Sequence, residues 1–184
     1  MKSRVFNLAD NAYQFWKPFL YQETVIDFPH LRACKHQFSH PTRAENYTLY
    51  FTFSHHVFTR SYLKNETIDL PHQYPFPTSD LRVFDIQRYE LSLNIPQIIA
   101  TLPNQFCYHG GYSRYCSCKI HTKDGASLYY QIVYRTWKQK GKLRFHIESA
   151  YALPSRPSKA KKVNFWVICH NLLHGKKLPL PPKH

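Results

Sequence analysis

Acidic residues nearly disappear from the last fifty positions of this sequence: Arg135 to His184 hold twelve lysines and arginines and a single acid, Glu148. Across the 184 residues, 25 Lys and Arg stand against 11 Asp and Glu, a formal net charge of +14. A field of that size is rarely needed for folding and draws in polyanions, so nucleic acid leads as the partner, ahead of an anionic membrane surface. Glycine and methionine are scarce, at five and one. No glycine-rich phosphate loop, dinucleotide-binding fingerprint or His-Glu-x-x-His helix occurs, which excludes the sites built on those motifs. No window approaches the roughly eighteen apolar residues of a membrane-spanning helix. The stretch Met1–Asp10 lacks the apolar core of a signal peptide, so a cytoplasmic protein without membrane attachment is expected. Cysteines are few and odd in number (34, 107, 116, 118 and 169), so reduced thiols are expected in place of a disulfide framework.

What is present is aromatic. Fourteen Tyr and thirteen Phe lift the aromatic fraction to 16% within 43% hydrophobic residues, ample for a real core and suited to half-buried sheet surfaces. Tyr47 to Phe58 alternates as a strand with one apolar and one hydroxyl-rich face. Ile95 to Leu102 reads as a short helix, with Asn94 as cap, Pro96 in the first turn and Pro103 as stop. Three strand-like runs follow, 114–121, 127–135 and 143–151, separated by glycine-containing turns, and antiparallel pairing in sequence order is the economical topology. Leu70 to Ser79, with three prolines, is expected to be an extended loop. The fold class expected is α+β: an antiparallel sheet with a short helix packed before a three-stranded meander, and an extra C-terminal strand. Its organisation would be a core domain over 1–152, a basic linker over 153–162, an appended strand of the same domain over 163–175, and a frayed tail over 176–184.

Four constellations could carry chemistry. Ser54-His55-His56, with Arg60 beyond, closes the first strand; on alternating backbone one histidine faces each way and either could be a base, the competing reading being mere packing or solvent contact. His146, Glu148, Ser149 and Tyr151 lie beside Arg135, Lys138, Lys142 and Arg144. Cleavage of an RNA phosphodiester needs a base for the 2′-hydroxyl, cations for the developing phosphorane and a donor for the leaving oxygen, and those residue types are all here. On a flat strand, however, Ser149 and Tyr151 share a face with Phe145 and Ile147, opposite Arg144, His146 and Glu148. The bland alternative is an exposed basic face. Cys107, His109, Cys116, Cys118 and His121 invite zinc, but Cys-x-Cys and Cys-x-His spacings are too tight for ordinary knuckles, so no metal site is expected. Arg88 and Tyr89 could bind phosphate and stack on a base, or Arg88 could clamp to Asp85 or Glu90.

A helix ahead of an antiparallel meander whose last strand ends in Ser149-Ala-Tyr151 resembles the small metal-independent ribonucleases of the barnase, EndoU, colicin and RelE group, over roughly Ser92 to Tyr151. Phe53 to His56 and Arg88 to Ser92 also resemble elements of an uncharacterised bacterial family. The first resemblance implies a toxin-like endoribonuclease without cofactor, in which the 2′-oxygen attacks phosphorus to leave a cyclic phosphate. His56 or His55 would be the base, with Ser149 and Tyr151 orienting the phosphate or leaving oxygen and Arg60, Arg88 and Arg135 stabilising the phosphorane. RNA would be held by Arg88, Tyr89, Arg135, Lys138, Lys142, Arg144 and His146, and an acidic antitoxin or immunity protein would restrain the enzyme. The alternative is a non-catalytic basic module that binds nucleic acid.

Overall fold

A computed structural model of the chain describes residues 14–67, 70–75, 80–110, 113–121, 127–155 and 162–179. Two short strands open it, β1 (Phe19–Tyr21) and β2 (Thr24–Ile26), then β3 (Cys34–Ser39), β4 (Asn46–Phe53), β5 (Thr59–Ser61) and β6 (Arg82–Phe84). Helices α1 (Ile86–Ser92) and α2 (Ile95–Ala100) follow, then β7 (Cys107–Gly110), β8 (Ser113–His121), β9 (Ser127–Gln139), β10 (Lys142–Leu153), β11 (Lys162–Val163) and α3 (Phe165–Leu173). The fold is α+β. Its main sheet has seven strands in the order β11-β7-β8-β9-β10-β4-β3.

The meander forms as its alternation predicts, with β8 against β9 and β9 against β10, both antiparallel. Lys140 and Gly141 make the last turn, both at positive φ (48° and 74°). That is the two-residue turn whose twist matches paired strands, and glycine takes its share without a Cβ penalty. The sheet is nevertheless mixed. β10 pairs with β4 in parallel, Leu143 opposite Leu49, Phe145 opposite Phe51 and Ile147 opposite Phe53. One face of this central pair carries the core: Leu49, Phe51, Phe53, Leu143, Phe145 and Ile147 are all buried, together with Tyr130, Ile132 and Tyr134 of β9. Ile95, Ile98 and Ile99 of α2 and Phe165, Ile168 and Leu172 of α3 complete the same core. A second aromatic layer, Trp16, Phe19, Phe28, Phe58, Tyr74 and Phe84, packs edge-on or tilted between the two small sheets β1-β2 and β5-β6.

Several expectations need correction, among them that Leu70 to Ser79 is wholly extended, where Leu70–His72 form a 3-10 turn, and that Asn94 caps its helix, where it makes no side-chain cap hydrogen bond. The run Val163 to Leu173 is not an appended strand; only Lys162–Val163 pairs, and the rest is α3, capped by the Asn164 side chain accepting from the Trp166 N–H. Phe165, Ile168, Cys169 and Leu172 recur with helical spacing and are all buried, whereas Val167 is exposed. The strand from Tyr47 stops at Phe53, and His55–Val57 form a 3-10 turn capped by Ser54. Phe84 to Ser92 does not merely lead into a helix; Asp85 starts α1 by accepting from the Arg88 N–H at 2.9 Å. Residues 156–161 of the expected linker, 76–79 of the proline-rich loop and 180–184 of the tail lie outside the described residues. No helix among the described residues is long and apolar enough to cross a membrane.

The left-handed turn yields a test. Gly141→Ala places a Cβ at φ 74°, which should cost about 1 kcal/mol and lower Tm by ~2–4 °C in a scanning calorimetry experiment. An unchanged Tm would mean that the turn relaxes.

Candidate functional site

An extra residue in β10 builds the site. Opposite β9, Ile147 faces Tyr134 and Ser149 faces Val133, so Glu148 is bulged out of the ladder. Before the bulge, Phe145 and Ile147 point into the core; after it, Ala150 does. Parity therefore flips, and Ser149 and Tyr151 join Arg144 and His146 on the face away from the core, contrary to the flat-strand expectation. Gln131, paired with Tyr151 in the ladder, donates its Nε2–H to the Tyr151 hydroxyl at 2.8 Å.

The second stretch arrives along β4. Ser54 extends the parallel ladder by donating its N–H to Ile147 O at 2.9 Å, which lays the 3-10 turn of His55–Val57 beside the bulge. His56 Nε2 lies 2.7 Å from Asp80 Oδ2, a carboxylate–imidazole pair that fixes the ring and its tautomer. Arg82 approaches the same carboxylate at 3.6 Å, itself locked by Thr59 Oγ1 (2.9 Å), Thr59 O (3.2 Å) and Ser61 Oγ (3.0 Å). Burial, aided by the positive charge of Arg82, outweighs Asp80 and pulls the His56 pKa below its ordinary value.

Arg88, on α1, joins the two stretches. Its Nη1 donates to His56 O at 3.0 Å and Thr59 O at 2.9 Å, and its guanidinium carbon lies 5.5 Å from the Tyr151 ring centroid. Beneath this group sits His146, fully buried, with Nδ1 2.9 Å from Thr52 Oγ1 and no hydrogen-bond partner for Nε2 among the described residues. Burial first, then the charges of Arg135 and His56, lower its pKa to about 4.

The structure thus gathers His56, Arg88, Ser149, Tyr151 and His146 and separates the remaining candidates. His55 is buried, its ring against Trp16 and edge-on to His56 at 4.5 Å between centroids. Arg60 instead forms a bidentate pair with Glu66, both contacts 2.7 Å. Tyr89 packs against Phe28 and Phe84 and donates to Asp27 O at 3.1 Å, so it offers no stacking platform. Lys138 donates to Leu173 O at the end of α3. Lys142 and Arg144 both lie over Tyr50, at 5.2 and 5.1 Å, and Arg144 is buried. Arg135 remains exposed beside the site, 3.2 Å from the bulged Glu148. Asp80, Arg82 and Gln131 are the residues that sequence reasoning missed. Only Gln131 leaves a signal, through its register opposite Tyr151 in a hairpin that could be aligned.

Among the described residues, donor atoms of His55, His56 and Asp80 lie within 4.8 Å of one another, but the locked guanidinium of Arg82 and that of Arg88 oppose a cation there. Cys34 and Cys169 are free thiols. Cys107 lies opposite Cys116 in the β7-β8 ladder, and the side chains of Cys116, Cys118 and His121 lie outside the described residues.

Comparison with known proteins gives a family. The model of the YjaZ family matches residues 18–173. Protein YjaZ of Escherichia coli (strain K12) is 32% identical over 178 residues, 91% of this chain and 96% of that protein. No solved structure matches. Neither match points to the barnase, EndoU, colicin and RelE group, which corrects the resemblance drawn from the helix, meander and Ser-Ala-Tyr end. Those features are short and made of common residue types, whereas the family match spans nearly the whole described chain.

Burial of neutral His146 sets a pH dependence. Its folded pKa, about 4, lies below the ordinary 6.5, so the unfolded chain takes the proton first. Stability should be full above about pH 6.5 and fall towards pH 4, by on the order of 1.4 kcal/mol per pH unit. Tm measured between pH 7.5 and 4.5 should show this decline, with a shallower slope in His146→Gln.

Proposed function

We propose that this chain, which belongs to the YjaZ family, cleaves RNA by metal-independent attack of a 2′-oxygen on the adjacent phosphorus. The carrying observation is the Arg88 bridge, which holds the His56 backbone at one end and the Tyr151 ring at the other. The proposal rests on this geometry and on the +14 charge, with no support drawn from the ribonuclease group named above.

In this reading Asp80 accepts the His56 Nε2–H, and Nδ1 takes the proton of the 2′-hydroxyl. The 2′-oxygen bonds to phosphorus and the bond to the 5′-oxygen breaks, leaving a 2′,3′-cyclic phosphate and a 5′-hydroxyl. Because Gln131 already donates to the Tyr151 oxygen, the phenolic hydrogen is left to hand to the leaving oxygen. Arg88 supplies the positive field for the phosphorane, and Ser149 a further donor. Arg60 has no part, being paired with Glu66. Such an enzyme would work as a cytoplasmic toxin restrained by an acidic partner.

Purified protein should cut RNA in EDTA and leave cyclic-phosphate ends. His56→Ala and Tyr151→Phe should each lower the rate about a hundredfold or more with little change in Tm. The acid limb of the rate profile should lie below pH 6.5, following the lowered His56 pKa. Full activity in both variants would remove the proposed site. Salt-sensitive RNA binding without cleavage by the native chain would leave only the non-catalytic basic module.

A further inference from the structure

At the far end of β4 from the His56–Asp80 dyad, about 25 Å along the strand, a second cluster stands apart from the RNA reading. His170 and His174 lie four residues apart at the end of α3, on one helix face, with ring centroids 4.4 Å apart. Glu45, immediately before β4, reaches up to both: Oε1 is 3.2 Å from His170 Nδ1 and 3.4 Å from His174 Nε2. Those three donor atoms lie within 4.8 Å of one another.

The spacing suits a metal. Zinc bonds of about 2.0–2.1 Å in a tetrahedron put neighbouring donor atoms about 3.3–3.4 Å apart. Two imidazoles one helical turn apart plus a carboxylate from another element give an N2O set with one position left for water. Glu45 is also held from behind: the hydroxyl of buried Tyr47 donates to Oε2, the outer contact that orients a ligating carboxylate. Trp166 of α3 packs on Tyr47 and on His40, closing the apolar side.

Two cations stand near. Arg43 Nη1 is 3.5 Å from His170 Nδ1, and Lys176 Nζ is 3.2 Å from His170 Nε2. Both residues are exposed, on long chains able to swing into solvent, unlike Arg82 at the dyad, which is buried and tied at three points. An arginine can only donate, so Arg43 points at the Nδ1 lone pair that a metal would take.

We infer that Glu45, His170 and His174 form a binding site for a late first-row divalent ion of the zinc class, which clamps α3 to the start of β4. Its role is structural, because the three ligands come from two elements that otherwise meet through the packing of Trp166 and the exposed Arg43, and binding to the folded chain alone stabilises it by mass action.

The test uses the full-length, untagged chain, stripped with EDTA and then freed of it. Zinc added to a hundredfold excess over Kd should raise Tm by about 5 °C or more. Cobalt(II) should bind at one per chain, with visible bands of a tetrahedral nitrogen and oxygen site and without the near-ultraviolet band of thiolate ligation. His170→Ala, His174→Ala and Glu45→Gln should each weaken binding at least tenfold, and Arg43→Ala should strengthen it. His56→Ala should leave it unchanged, which keeps this site separate from the dyad. Should Glu45→Gln or the double variant His170→Ala/His174→Ala, folded by circular dichroism, still bind one cobalt with unchanged bands, the assignment falls. It falls equally if the native chain binds no cobalt, or binds it through thiolate.

Discussion

The parallel contact between β4 and β10 is the constraint from which the rest of the molecule takes its arrangement. Two stretches 94 residues apart in sequence lie side by side, with Phe51 and Phe145 in register and their rings 5.3 Å apart. A one-residue slip would turn every core side chain of either strand to the wrong face, so burial of the six aliphatic and aromatic residues of this pair pins the register. The pinned register sets His146 beside Thr52 and Ser54 beside Ile147. From there the 3-10 turn and the bulge have no choice but to adjoin, and α1, started by Asp85, delivers Arg88 between them.

Local features were legible in the sequence because their causes are local. The meander follows from alternation broken by glycine turns, and Lys140-Gly141 carries its own left-handed geometry. α3 was misread because Phe165 and Cys169 satisfy both a strand and a helix pattern; Ile168, Leu172 and exposed Val167 decide the matter, and they can be weighed only once the buried side is known. The β4-β10 pairing leaves no local mark at all, since a parallel partner is chosen by long-range packing. The bulge was equally silent: Glu148 stands between ordinary strand residues, with no glycine or proline to announce it.

The site was half legible for the same reason. Residue types suited to phosphodiester chemistry could be counted, but a flat strand divides His146 from Tyr151, and the extra residue in β10 reunites them. Asp80 lies 24 residues beyond His56, after a proline-rich stretch, and nothing in that spacing suggests a 2.7 Å contact. The error with Arg60 is instructive in the other direction. Its closeness in sequence to His56 suggested a shared task, yet a bidentate pair with Glu66 in the adjoining turn is the stronger local interaction.

Counting cations overstates the direct contacts available to a polyanion but not the field. Arg60 and Arg135 are neutralised by Glu66 and Glu148. Arg88 and Lys138 hydrogen-bond to carbonyls, which are neutral, so they keep their full charge. Around the His56–Asp80 pair, Arg82 and Arg88 stand against Asp80, with Asp85 acting on Arg88 from the start of α1. Burial first, then the charge of Arg82, lowers the proton affinity of His56, and the two guanidinium groups oppose a divalent cation at the same atoms. Desolvation and fixed positive charge thus account for the lowered proton affinity of His56 and for the poor fit of a metal at the same atoms.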